Sequence, residues 1–79
     1  MSQIEKLIQK VLNCSKDLRF DDIAKVLRYF NFEMSQPSGG SSHYIFRKGK
    51  KELSIPRKNP VKVIYVSMVK NEIIGEMKK

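Results

Sequence analysis

Apolar side chains recur at helical spacing in two segments near the start of the chain. The first stripe comprises Ile4, Leu7, Ile8, Val11 and Leu12. The second comprises Phe20, Ile23, Leu27 and Phe30, with Ala24 beside it. This spacing places each set on one side of an α-helix and predicts amphipathic helices over 3–13 and 20–30. Asp21 and Asp22 fall in the first turn of the second helix, where the helix dipole favours negative charge.

Alternation of apolar and polar residues replaces the helical spacing after the second helix. It predicts three short strands, over about 32–37, 43–48 and 51–56. Pro37 ends the first strand or confines it to a sheet edge. A tight turn over 48–50 joins the second strand to the third, so these two form a hairpin.

The middle strand has two distinct faces. Tyr44 and Phe46 form its natural core face. Because neighbouring side chains in a strand point to opposite sides, His43, Ile45 and Arg47 are predicted on the open face of the sheet.

The last helix is predicted over about 64–77. Its apolar side comprises Tyr65, Val66, Val69, Ile73 and Met77. The β-branched run 61–66 is equally compatible with a strand, which leaves the start of this helix open. The order α-α-β-β-β-α predicts an α+β fold, a three-stranded antiparallel sheet with helices packed on one face. With only 79 residues, we expect a single domain over 1–79.

Composition excludes several classes of protein. Hydrophobic residues make up 41% of the chain, and no apolar run is long enough to span a membrane. The segment 1–6 does not resemble a signal peptide. Cys14 is the only cysteine, so an internal disulfide is excluded and a reducing cytoplasm is expected. One Cys and one His do not supply a usual tetrahedral metal site.

Positive charge is concentrated in one half of the chain. The net charge is +8. Residues 1–33 carry six Lys/Arg against five acids, a difference of +1, and residues 34–79 carry ten against three, a difference of +7. This asymmetry favours a polyanionic partner, either nucleic acid or an acidic protein.

His43, the only histidine, is the candidate catalytic residue. An imidazole exchanges protons near neutral pH, and cleavage of RNA through the ribose 2′-OH needs a base, an acid and nearby cations. Such a reaction requires neither metal nor cofactor, and DNA is excluded because it lacks the 2′-OH. The alternative is that His43 is an ordinary surface or structural residue.

Residues on either side of His43 could hold phosphate. The candidates are Gly40, Ser41 and Ser42 before it, and Arg47, Lys48, Arg57 and Lys58 after it. Backbone N–H groups and hydroxyls of the Gly-Ser segment could cradle a phosphate, although the segment is equally consistent with a flexible turn. The four cations could contact an RNA strand, or they could simply be solvated.

The chain resembles the HicA (YcfA-like) toxins of type II toxin–antitoxin systems. The resemblance covers about three quarters of the chain, from Phe20 to the end. It is carried by the helix 21–30 followed by Phe32-Glu33, by Gly40-Ser41-Ser42-His43 with Phe46-Arg47 behind it, and by Ile55-Pro56-Arg57. Two features depart from the family pattern: Asn31 replaces a glycine, and the helix over 3–13 is additional.

The resemblance implies a double-stranded-RNA-binding-domain-like core over 18–79, with 1–17 as an additional helix and its connection. It implies a metal-independent mRNA interferase with His43 as the catalytic histidine and no cofactor. The implied partners are an mRNA substrate and a HicB-type antitoxin.

Two other functions are compatible with the residues. A non-catalytic RNA- or nucleic-acid-binding module would use the same basic surface, with a salt-dependent affinity that does not depend on His43. A protein-interaction domain would use that surface to bind an acidic partner and would not bind RNA.

Overall fold

Three helices and a three-stranded antiparallel sheet make up the computed structural model, which describes residues 3–36 and 43–78. In chain order the elements are α1 (Gln3–Leu12), α2 (Phe20–Tyr29), β1 (Glu33–Ser35), β2 (His43–Lys48), β3 (Lys51–Pro56) and α3 (Val63–Met77). The predicted α+β fold, with helices packed on the sheet, is therefore confirmed. In the described ranges, no helix has both the length and the apolar character needed to cross a bilayer.

The strand β2 is the centre of the sheet, between β1 and β3. In the β2–β3 pair, His43 lies opposite Pro56 and Lys48 opposite Lys51, as expected for a hairpin with a two-residue turn. Gly49 occupies this turn with φ +59°, a left-handed conformation that such turns require and that glycine adopts without strain. The predicted bounds of β2 and β3 are confirmed.

The core lies between the sheet and the helices. Phe46 has 0% of its surface exposed, and Phe20 on α2 packs a ring against it at 6.0 Å between centroids. The additional helix belongs to the same core, because its Ile8 and Val11 are buried in the cluster that contains Phe46. Burial of these apolar side chains is the main favourable term in the stability of the fold.

Several predictions about element ends need correction. The strand β1 has three residues rather than six, because its pairing with β2 extends only over Glu33–Ser35, and residue 37 lies outside the described ranges. Phe32 is buried but precedes the strand, whereas Met34 is exposed at the sheet edge. Met77, predicted on the apolar side of α3, is also exposed because it is the last residue of that helix.

The ambiguous segment 61–66 contributes mainly to α3, not to a strand. Val61 is buried just before the helix, and its N–H donates to the carbonyl of Leu18 over 2.8 Å. The helical conformation is favoured because it buries Val66, Val69 and Ile73 on one side, each with 0% of its surface exposed.

We expect Phe46→Ala to lower the free energy of unfolding by about 3–5 kcal/mol, because it removes a buried ring from the centre of the core. Met34→Ala is the matched control. Met34 lies directly opposite Phe46 on β1 but is 40% exposed, so the expected loss is below about 1 kcal/mol. Urea unfolding followed by circular dichroism measures both. Equal losses in the two variants would contradict the proposed position of the core.

Candidate functional site

His43 is exposed at the first residue of β2. The neighbouring Tyr44 turns to the opposite side, where its half-buried ring lies 5.1 Å from the ring of Phe20. Since strand residues alternate, this inward anchor directs the imidazole to the open face. The predicted exposure of His43 is therefore confirmed. The Gly40, Ser41 and Ser42 candidates lie outside the described residues.

Arg57 and Lys58 lie at the same end of the sheet as His43. Pro56 is the cross-strand partner of His43, and both cations follow it directly. Both are exposed, and the N–H of Lys58 donates to the carbonyl of Pro56 over 3.0 Å, which turns the chain away from the sheet. An imidazole and two cations thus lie at one end of the sheet, although their segments are about 14 residues apart in sequence.

Arg47 is on the open face, as predicted, but lies towards the hairpin end of the sheet. Its Nε donates to Glu52 over 2.8 Å, and its cross-strand neighbour on β1 is Glu33. One carboxylate pairs with the guanidinium and a second occupies the neighbouring position on β1, so the three side chains together carry one negative charge. This part of the open face is a poor surface for phosphate.

Lys48, a predicted phosphate contact, lies on the helix-facing side of the sheet. Its Nζ donates to the carbonyl of Phe30 over 2.9 Å and to the carboxylate of Glu76. Lys51, its partner across the hairpin, also binds Glu76, at 3.3 Å. The Glu76 side chain is only 3% exposed, so these two lysines join the hairpin to the end of α3.

Strand alternation already indicated this position of Lys48, since it shares the parity of Tyr44 and Phe46. The positive charge of Lys48 had instead favoured a solvent-exposed position for its side chain. A further signal was present in α3, where Glu72 and Glu76 are four residues apart and so lie on one side of the helix. Lys51 is 3.6 Å from Glu72.

Two cations that the sequence did not single out, Lys16 and Arg19, belong to the same end of the molecule as His43. They lie in the connection between α1 and α2, which is hydrogen-bonded to the loop after β3. The N–H of Phe20, the residue after Arg19, donates to Asn59 Oδ1 over 2.9 Å. No local pattern predicts this approach, because the two segments are about 40 residues apart.

Comparison with known proteins adds no family to these observations. No protein-family model, curated protein or solved structure matches this chain. The resemblance to HicA toxins consequently depends on the sequence motifs alone. Within 3–36 and 43–78, no three His, Cys, Asp or Glu side chains are grouped so that they could hold a metal ion.

Glu76→Gln is expected to lower the free energy of unfolding by about 1–3 kcal/mol, because it leaves Lys48 and Lys51 without a nearly buried carboxylate. The two lysine side chains, 30% and 35% exposed, still reach water, which limits the loss. Glu52→Gln, which breaks the exposed pair with Arg47, is the control and should cost at most about 1 kcal/mol. Urea unfolding compares them, and a larger loss in Glu52→Gln would contradict this interpretation.

Proposed function

We propose that this protein is a toxin of a type II toxin–antitoxin system, an endoribonuclease that cleaves mRNA with His43 and without a metal ion. The observation that carries the proposal is an exposed imidazole at the end of a sheet, where two exposed cations, Arg57 and Lys58, follow its cross-strand partner. The HicA-like motif around His43 supports the same reaction.

The proposed reaction is an internal transesterification of RNA. A base removes the proton of a ribose 2′-OH, the O2′ atom bonds to the adjacent phosphorus, and the bond from phosphorus to O5′ breaks as O5′ is protonated. The products are a 2′,3′-cyclic phosphate and a 5′-OH end. His43 transfers one of these two protons, as base or as acid.

Arg57 and Lys58 stabilise the charge of the phosphate in this proposal. The transition state places additional negative charge on the phosphate oxygens, and cations positioned there lower its energy. Arg47 and Lys48 are not needed for this role, since each already contacts a carboxylate. DNA is not a substrate, because the attacking 2′-OH is missing.

The proposed protein partner is a HicB-type antitoxin in the cytoplasm. Val63, Ile64 and Met68, at the start of α3, leave large apolar side chains exposed, and Ile64 is 66% exposed. The loop that carries Arg57 and Lys58 leads directly into this helix. Exposed apolar groups beside cations fit a partner with apolar and acidic side chains that covers the His43 end.

His43→Ala is expected to abolish RNA cleavage and growth inhibition while the fold is retained, because an exposed side chain contributes little to stability. Asn71→Ala, an exposed change on α3, is the control and should cleave normally. Cleavage of a 5′-labelled RNA, with and without EDTA, measures the activity, and circular dichroism checks the fold. Full cleavage by purified His43→Ala would refute the catalytic role.

A non-catalytic RNA-binding module is the second candidate. It is favoured by the presence of one histidine in the sequence, so that a second imidazole is not available for the other proton transfer. In that case His43→Ala would bind RNA like the unchanged protein, and neither would cleave it. An acidic protein as the only partner predicts instead that neither protein binds RNA.

A further inference from the structure

The α1–α2 connection and the loop after β3 form a cleft at the His43 end of the molecule. Its lining residues are Lys16, Asp17, Arg19, Asn59 and Pro60, and its volume is about 520 Å³. Two hydrogen bonds hold the two segments together: Phe20 N–H to Asn59 Oδ1 at 2.9 Å and Val61 N–H to the Leu18 carbonyl at 2.8 Å. The cleft is thus a fixed part of the fold.

Among the described residues that line the cleft, the one acid, Asp17, is already engaged. Asp17 accepts a hydrogen bond from the Ser15 hydroxyl and lies 3.4 Å from Lys10 Nζ. The Ser15 hydrogen bond and then the Lys10 charge lower the pKa of Asp17, so its carboxylate stays ionised and paired at neutral pH. Lys10 compensates the negative charge of Asp17. The positive charges of Lys16 and Arg19 therefore remain uncompensated by the acid in the cleft.

Lys16 and Arg19 are exposed, and neither makes an ion pair with any residue in the described part of the chain. The backbone of Arg19 is fixed separately, because its N–H donates to Asp22 Oδ2 over 3.1 Å. This bond is made by the backbone of Arg19 and does not involve its guanidinium. Both cations remain available for an anion from solution.

The cleft lies at the same end of the sheet as the candidate catalytic residue, on the side where the helices pack. Arg19 precedes Phe20, whose ring contacts Tyr44, the residue after His43. In the other direction, along the open face of the sheet, a polyanion would meet Glu33 and Glu52 around Arg47. A phosphate chain that passes His43 consequently finds favourable charge on the side of Arg57, Lys58 and the cleft.

We propose that Lys16 and Arg19 form a second phosphate-binding site, which holds the backbone of a single-stranded RNA beyond the bond that is cleaved at His43. This inference rests on the proposed ribonuclease function and extends it, since it assigns to the connection after α1 a part in substrate binding. The site would contact phosphate groups and not base edges, so its binding would not depend on the RNA sequence.

The test measures binding of a 2′-O-methyl RNA 12-mer, which cannot be cleaved through its 2′ position, over a series of salt concentrations. The variant is Lys16→Gln/Arg19→Gln. Its matched control is Lys50→Gln/Arg28→Gln, which removes the same charges at the hairpin end and on the far end of α2. Circular dichroism confirms that each variant is folded.

Each lost contact with a single strand should reduce the slope of log K against log salt by about 0.7, so the cleft variant should lose about 1.4. This corresponds to roughly 25-fold weaker binding at 0.1 M salt, with a much smaller change in the control. Equal losses in the two double variants, or no loss in the cleft variant, would overturn the inference and leave the proposed function intact. If the unchanged protein does not bind the RNA at all, the proposed function fails too.

Discussion

The pleat of the central strand is the constraint on which the candidate site depends. Phe46 is completely buried and is paired on both sides, with Met34 on β1 and Leu53 on β3. Because side chains alternate along β2, this one burial sends Tyr44 inward and His43 outward. A slip of the register by one residue would bury the imidazole and expose the aromatic rings, at the cost of most of the core contacts.

The same alternation divides the cations of the chain into two groups. It turns Lys48 towards α3, where a nearly buried Glu76 receives it together with Lys51. Ion pairs of this kind restrict the hairpin but withdraw two positive charges from any external ligand. The exposed cations without carboxylate partners in the described ranges, Arg57 among them, are therefore the ones to which a phosphate can bind.

The local part of this structure was predictable and the long-range part was not. Helical spacing and strand alternation are properties of neighbouring residues, so the sequence indicated the helices, the β2–β3 hairpin and the exposure of His43. The pairing of Lys48 with Glu76 links positions 28 residues apart. It depends on how α3 crosses the sheet, which no local pattern specifies, and the shortened β1 likewise reflects the extent of its pairing with β2.

The net charge of each half of the sequence did not fully predict which residues place cations at the His43 end. The first 33 residues have a net charge of only +1, yet they contribute Lys16 and Arg19 to the His43 end. Two of their five acids are engaged locally: Asp17 with Ser15 and Lys10, and Asp22 with the backbone N–H of Arg19. Electrostatic attraction depends on which charges remain uncompensated at a place on the surface. Burial of Ile8 and Val11 fixes α1 in the core, and so the additional helix determines where these two cations lie.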